Sequence, residues 1–214
     1  RLVSYFKEDL GTSDLTSEIT PPKECLARIT ANEDCILAGI EETCFLIRNS
    51  GLKARALKKD GGKVKKGTIV LEVFGSNRKI LSLERVCLNI IGRMSGVATL
   101  CAKAKKMLGK GKETLAATRK TVPGFQALDK KAAQVAGMWT HRKDLSEMIL
   151  LKDNHLKFFS SAYEAALAAK RTGKMFEIEV ESKEQALDAA KAQPDILMLD
   201  KFEPKNAKKT IAML

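Results

Sequence analysis

Residues 175–200 read MFEIEVESKEQALDAAKAQPDILMLD, and this stretch decides the fold. Residues 175–180 form a short run, apolar except for Glu177 and Glu179, and residues 195–199 form a second. Between them, residues 183–192 carry the helix pattern. Ser182 stands ahead of it with Gln185 three positions on, the spacing of a capping box. Short, almost wholly apolar strands alternating with helices predict a parallel sheet covered on both faces.

The alternation extends in both directions. Upstream, residues 148–151 and 114–118 read as strands, and residues 162–171 and 127–136 as helices, with Ser161 as a cap and Gly137 and Gly173 at helix ends. Downstream, a further helix begins near Pro204, a favoured first helical residue. Before these units, residues 82–108 predict one long helix, capped by Ser82-Leu83-Glu84. Its stripe Cys87, Ile91, Met94, Ala98, Cys101 follows steps of three and four. Gly92 and Gly96 on it suggest the close approach of another backbone, or plain packing. Residues 1–10 read as a helical lead and residues 8–17 as a polar, turn-forming run, closed by Thr20-Pro21-Pro22. Strands follow at 26–31, 35–38, 52–58 and 68–74, with a helix at 41–49 and glycine turns at 60–62 and 65–67. The expected division is residues 1–82, a small α+β domain, and residues 83–214, a linking helix and α/β barrel.

The 214 residues hold 44% hydrophobic and 30% charged side chains and a net charge of +12, which suits a globular protein with anionic partners. No apolar stretch is long enough to span a bilayer, so no membrane association is expected. Much of the excess charge lies in residues 103–112 and 205–209, which read as solvated helix faces. With one Trp and two Tyr the chain lacks the stacking residues of a nucleic-acid surface, and no nucleic-acid partner is expected. The five cysteines have no C-x-x-C spacing, so free buried thiols and a cytoplasmic location are expected.

Residues 118–155 gather Arg119, Lys120, His141, Arg142, Lys152 and His155, the donors that a small polyanion requires. Charged residues also fall at predicted strand ends: Arg119 and Lys120, Lys152 and Asp153, Glu179, and Asp200. In an α/β barrel those ends converge on one mouth, where catalytic groups collect. Strand alternation places Glu177 and Glu179 on the same side, and an inward carboxylate must be paired, hydrogen-bonded or bound to metal.

The motifs EDLGxxDxTS (from Glu8), ERVCLNxxxRMSGVAT (from Glu84), TRKTVPG (from Thr118), HR (His141), KDNH (Lys152), EIEVE (from Glu177) and MLD (to Asp200) resemble, in order, those of the quinolinate phosphoribosyltransferase family. The resemblance implies an α/β protein with a type II phosphoribosyltransferase fold: a small sandwich-like N-terminal domain and an open, TIM-like barrel, paired head to tail in a homodimer. It implies transfer of phosphoribosyl from phosphoribosyl pyrophosphate to quinolinate with decarboxylation, using Mg²⁺. Arg119, His141, Arg142 and Lys152 would hold the quinolinate carboxylates, joined by Arg85 from the partner subunit. Lys120 would touch the phosphoribosyl donor, while Glu179 and Asp200 would address its ribose hydroxyls and the metal. Lys152, Glu179 and Asp200 are the catalytic candidates.

Ala117, Met138-Trp139 and Lys201 depart from the family pattern. Leu145-Ser146-Glu147 and Asp200-Lys201-Phe202 resemble a sister group, the molybdate-transport-associated homologues, which leaves a different aromatic acceptor open. A non-catalytic polyanion-binding protein and a Lys152 Schiff-base enzyme are the remaining readings. Four strands are legible where a complete barrel takes about 250 residues. The sequence is therefore expected to be part of a longer chain, its phosphate-binding turns lying elsewhere.

Overall fold

The computed structural model describes residues 1–109, 111 and 113–214, and its contacts divide the chain into two compact units, residues 1–141 and 142–214.

The first unit begins with α1 (Leu2–Leu10) and α2 (Leu15–Ile19). The second of these begins within the run expected to be only turns and ends two residues beyond it. Asp14 explains it, because its carboxylate accepts the Ser17 amide at 3.0 Å and caps the helix. Then follow β1 (Glu24–Thr30), β2 (Cys35–Ile36), α3 (Ile40–Asn49), β3 (Lys53–Ala56), β4 (Lys63–Val64) and β5 (Ile69–Ser76). β5 is the centre of an antiparallel sheet ordered β1-β5-β3, and β2 pairs with β4. Glu72 sits opposite both Arg28 and Arg55 in register, accepting from Arg28 Nε at 3.1 Å and from Arg55 Nε at 3.0 Å. This charge trio holds the exposed face while Leu71 and Val73 turn inward. A register slip of one residue would exchange the two sets.

The inward face packs on α3 and on α4 (Asn77–Leu108). α4 starts five residues before the expected cap. Ser82 lies inside the helix, its hydroxyl donating to the Arg78 carbonyl at 3.0 Å and meeting Asp14 Oδ2 at 2.7 Å. The buried stripe is Leu83, Val86, Cys87, Ile90, Ile91, Met94 and Ala98, against Leu46, Ile47 and Leu71. Each large side chain removed from water there contributes about 1.5–3 kcal/mol. Two hydroxyls on α4 satisfy backbone at the edge: Thr99 Oγ1 accepts from the Ile36 amide at 2.9 Å, and Ser95 Oγ from the Ala38 amide at 3.0 Å.

Within this chain the close approach suggested at Gly92 and Gly96 falls instead at Gly39. A Cβ added at Gly92 or Gly96 would meet nothing within 4 Å, whereas one at Gly39 would lie 3.2 Å from Ile91 Cα and 3.0 Å from Met94 Sδ. Gly39, at φ 94°, is what lets the α3 entry lie against α4.

After α4 the predicted strand at 114–118 is reduced to one parallel bridge, Ala116 to Trp139. Its two hydrogen bonds are Trp139 N to Leu115 O, 2.9 Å, and Ala117 N to Trp139 O, 2.8 Å. α5 (Gln126–Val135) packs on α4 through a fork, Arg93 Nε and Nη2 donating to the two oxygens of Asp129 at 2.8 and 2.7 Å. Of the lysine run expected as a solvated face, Lys103, Lys105 and Lys106 are exposed; Lys110 and Lys112 lie outside the described residues.

The second unit contains β6 (Ile149–Leu151), α6 (Asp153–Leu156), α7 (Ala162–Lys170), β7 (Phe176–Val180), α8 (Lys183–Ala190), β8 (Ile196–Leu199) and α9 (Pro204–Ile211). β6, β7 and β8 are parallel and neighbours in sequence order, the arrangement of a barrel wall. Phe176, Ile178 and Val180 face the helices, where Ala162, Ala166, Ala169, Ala186 and Ala189 let α7 and α8 lie close. Alternation turns Glu177 and Glu179 to the other face; both are buried, at 1% and 8% exposure. Ser161 and Ser182 cap α7 and α8 as their sequence positions predict.

Candidate active site

In the second unit the parallel register sets three strand ends level. Leu151 pairs with Ile178 and Val180 with Leu199, so Lys152, Glu179 and Asp200 emerge along one edge. Lys152 Nζ lies 2.5 Å from Glu179 Oε2. Asp200 continues the ladder, its amide donating to the Val180 carbonyl at 2.9 Å. One residue further out, Lys201, at φ 59°, pairs with Glu181. Glu181 raises the Lys201 ammonium above its ordinary value, with Asp200 and Asp153 adding to the effect.

His155 is oriented by its own chain, which leaves Nε2 as the ring's donor. Its Nδ1 accepts the Lys152 amide at 3.0 Å, closing the first turn of α6 and fixing where Lys152 leaves the strand. Arg142 is 9% exposed and donates from Nη1 to the Met148 carbonyl at 3.2 Å, so part of its fork serves the chain itself.

In the first unit, Arg119 and Lys120 sit exposed on the turn after Ala117, where the Thr121 amide donates to Arg119 O at 3.0 Å. His141 is half-buried at φ 54°, a conformation uncommon for a residue with a Cβ. Its ring meets Trp139 edge-on, centroids 4.8 Å apart. Sequence reasoning missed Lys130: only 4% exposed, it donates to Ala117 O at 2.8 Å and to Thr140 O. No local signal marked it, since a position two residues from Leu128 and two from Ala132 falls away from the helix face those two share.

Arg85 is exposed on α4 at the edge of a cavity of about 540 Å³ lined also by Leu88, Gly92, Gly96 and Thr99. The structure thus brings together Lys152 and Glu179, with Asp200 beside them, and separately joins the Arg119 turn to His141.

The family model for the quinolinate phosphoribosyl transferase N-terminal domain matches residues 14–95, and that for the C-terminal domain matches residues 97–214. The chain belongs to the quinolinate phosphoribosyltransferase family. It is 37% identical over 206 residues to a Bacillus subtilis protein named probable nicotinate-nucleotide pyrophosphorylase (carboxylating), covering 94% of this chain and 71% of the relative. It is 32% identical over 216 residues to the Rattus norvegicus nicotinate-nucleotide pyrophosphorylase (carboxylating), covering 99% and 72%. The crystal structure of NadC from Streptococcus pyogenes superposes with a TM-score of 0.93 at 32% identity, over 99% of this chain and 78% of that one. The quinolinate phosphoribosyltransferase fold, a type II phosphoribosyltransferase with a small N-terminal domain, is therefore the fold of this chain.

Among the described residues no three His, Cys, Asp or Glu side chains are grouped to hold a metal ion. Two strand-end carboxylates, Glu179 and Asp200, suit Mg²⁺ when the ion keeps most of its water and takes further oxygens from a diphosphate. The Mg²⁺ that the resemblance implies fits the residues present when held in this way.

Proposed function

We infer that this chain is a pentosyltransferase that moves phosphoribosyl from phosphoribosyl pyrophosphate to quinolinate, releasing pyrophosphate and CO₂ and forming nicotinate mononucleotide for NAD biosynthesis. The observation that carries it is the match of both family domains across residues 14–214 together with relatives named for this carboxylating reaction.

The residue roles are our proposal. Arg119, His141, Arg142 and Lys152 form the wall that receives the two carboxylates of quinolinate, and charge-assisted contacts of this kind fix the pyridine nitrogen for attack. Lys120 meets the phosphoribosyl donor. As the bond from the anomeric carbon to pyrophosphate breaks, positive charge grows on the ribose, and Glu179 and Asp200 stabilise it. Glu179 enters this role already held by Lys152, which supports reading the two as one unit. Mg²⁺, held through Glu179 and Asp200, would neutralise the departing pyrophosphate oxygens. After the new C–N bond forms, CO₂ leaves from the ring, the cationic wall faces the electron pair left behind, and a proton replaces the lost carboxylate.

Arg85 completes the quinolinate site of a second copy in a homodimer. Its exposure beside an open cavity floored by Gly92 and Gly96 supports this. Five free cysteines support a reducing, cytoplasmic compartment, and no described helix is long and apolar enough to cross a membrane. Release of labelled CO₂ from carboxyl-labelled quinolinate, dependent on phosphoribosyl pyrophosphate and Mg²⁺, tests the reaction. Absence of release with both present would overturn it.

A further inference from the structure

We infer that Lys130 is a positioning residue for the quinolinate wall, holding the Arg119 turn and His141 in fixed relation from beneath. Its ammonium donates to Ala117 O at 2.8 Å and to Thr140 O. These carbonyls lie two residues before Arg119 and one before His141. Among the described residues the two segments are paired by the short bridge at Ala116 and Trp139. The lysine ties them again one residue beyond it on each segment, at Ala117 O and Thr140 O.

The arrangement is built rather than incidental. An ammonium at 4% exposure loses most of its hydration, so it persists only where fixed acceptors replace water. Backbone carbonyls at the ends of two parallel segments are such acceptors, and they stay fixed because α5 is itself anchored. The neighbouring Asp129 takes the Arg93 fork from α4, and Arg93 lies over the Phe125 ring at 5.3 Å. The path therefore runs from α4 through Arg93 and Asp129 to α5, and through Lys130 to the backbone that carries Arg119 and His141. His141 is sensitive to this brace because it sits at φ 54°, where a side-chain-bearing residue stays only while its surroundings hold it.

The inference rests on the proposed role of Arg119 and His141 in binding quinolinate, and the test separates the two. In the natural full-length enzyme, Lys130→Met and Lys130→Gln are compared with wild type by the KM for quinolinate, kcat, and the ring resonances of His141. His141→Gln assigns those signals, and the His155 ring serves as internal control. Expected are a rise in KM of about tenfold or more with a smaller change in kcat, and displaced or broadened His141 signals with His155 unchanged. A folded variant with KM within about twofold of wild type and unmoved His141 signals overturns the inference. Displaced His141 signals with unchanged KM leave the brace standing and remove Arg119 and His141 from the quinolinate site. If neither variant folds, Lys130→Arg decides: its longer, planar fork cannot occupy the ammonium position, so the same displacement is expected, and a wild-type spectrum and KM would sink the claim.

Discussion

The ammonium of Lys152 lies 2.5 Å from Glu179 Oε2, joining the end of β6 to the adjacent strand β7. The two side chains are unequally placed, since Glu179 is nearly buried while Lys152 keeps 42% of its side-chain surface. Removing the lysine leaves a nearly buried carboxylate without its cation and with only partial access to water. Lys152→Met is expected to lower stability by about 1–2 kcal/mol, less than for a fully buried pair because water reaches the lysine, and to lower kcat/KM by about a hundredfold. The double variant Lys152→Met/Glu179→Gln should regain stability but not turnover. Thermal midpoints and steady-state kinetics on the three proteins check this; recovery of activity in the double variant would remove Lys152 from the quinolinate site.

The thiols give a second check. Burial, reinforced by Cys44, pushes the Cys87 thiol up to about 12, and Cys44 is also buried and raised by burial. A thiol that neither ionises nor meets solvent reacts slowly. Alkylation of the native protein at pH 8 should label Cys25, Cys35 and Cys101 first and leave Cys44 and Cys87 unmodified until denaturant is added. Peptide mass mapping reads the order, and early labelling of Cys87 would contradict the packing of α4.

The proposed sharing of active sites between two copies predicts complementation. Arg85→Ala and Lys152→Ala chains, each inactive alone, should regain part of their activity when unfolded together and refolded, because one site of a mixed dimer then receives both native residues. Mixed dimers that form and stay inactive would show that Arg85 does not serve the other copy.

What was legible in the sequence depended on whether local chemistry decided it. The β7–α8–β8 unit followed from alternation and from the Ser182 cap, both readable within a few residues. The long helix was legible in its buried stripe but not at its start, because Ser82 resembles a cap yet spends its hydroxyl on Arg78 O and Asp14, the latter 68 positions away. Residues 114–118 look like a strand and form only a bridge, since pairing depends on what lies alongside. The strand-end acids and lysine were visible as charges in apolar runs. Lys130 was not, because nothing local distinguishes it from its neighbour Lys131, which reaches Glu41 and Glu42 instead.

Lys131 leads to the last prediction. Its ammonium lies 2.6 Å from Glu41 Oε2, 2.6 Å from Glu42 Oε1 and 4.0 Å from Asp60 Oδ2. Asp60 is 8% exposed at its side chain, and Oδ1 accepts the Ile40 amide at 2.9 Å at the start of α3. Among the described residues, Asp60 Oδ2 and Glu42 Oε2 are both buried without a hydrogen bond. Burial, together with the Glu42 charge, raises the Asp60 carboxyl above its ordinary 3.8 despite the backbone amides that oppose it. An acid raised on folding binds its proton more tightly in the native state. It therefore subtracts stability once the pH exceeds its native value, and that loss disappears as the pH falls below 3.8. Asp60→Asn keeps an oxygen for Ile40 and places an N–H where Oδ2 stands, facing Glu42. The variant should be more stable at pH 7 by about 1 kcal/mol, or about 2–4 °C in Tm, with the gain shrinking to nothing near pH 3.5. Thermal melts across that range read both the sign and the slope. A lower Tm for Asp60→Asn at pH 7 would mean that the attraction of Lys131 outweighs burial, and that Asp60 works as the third member of that ion cluster.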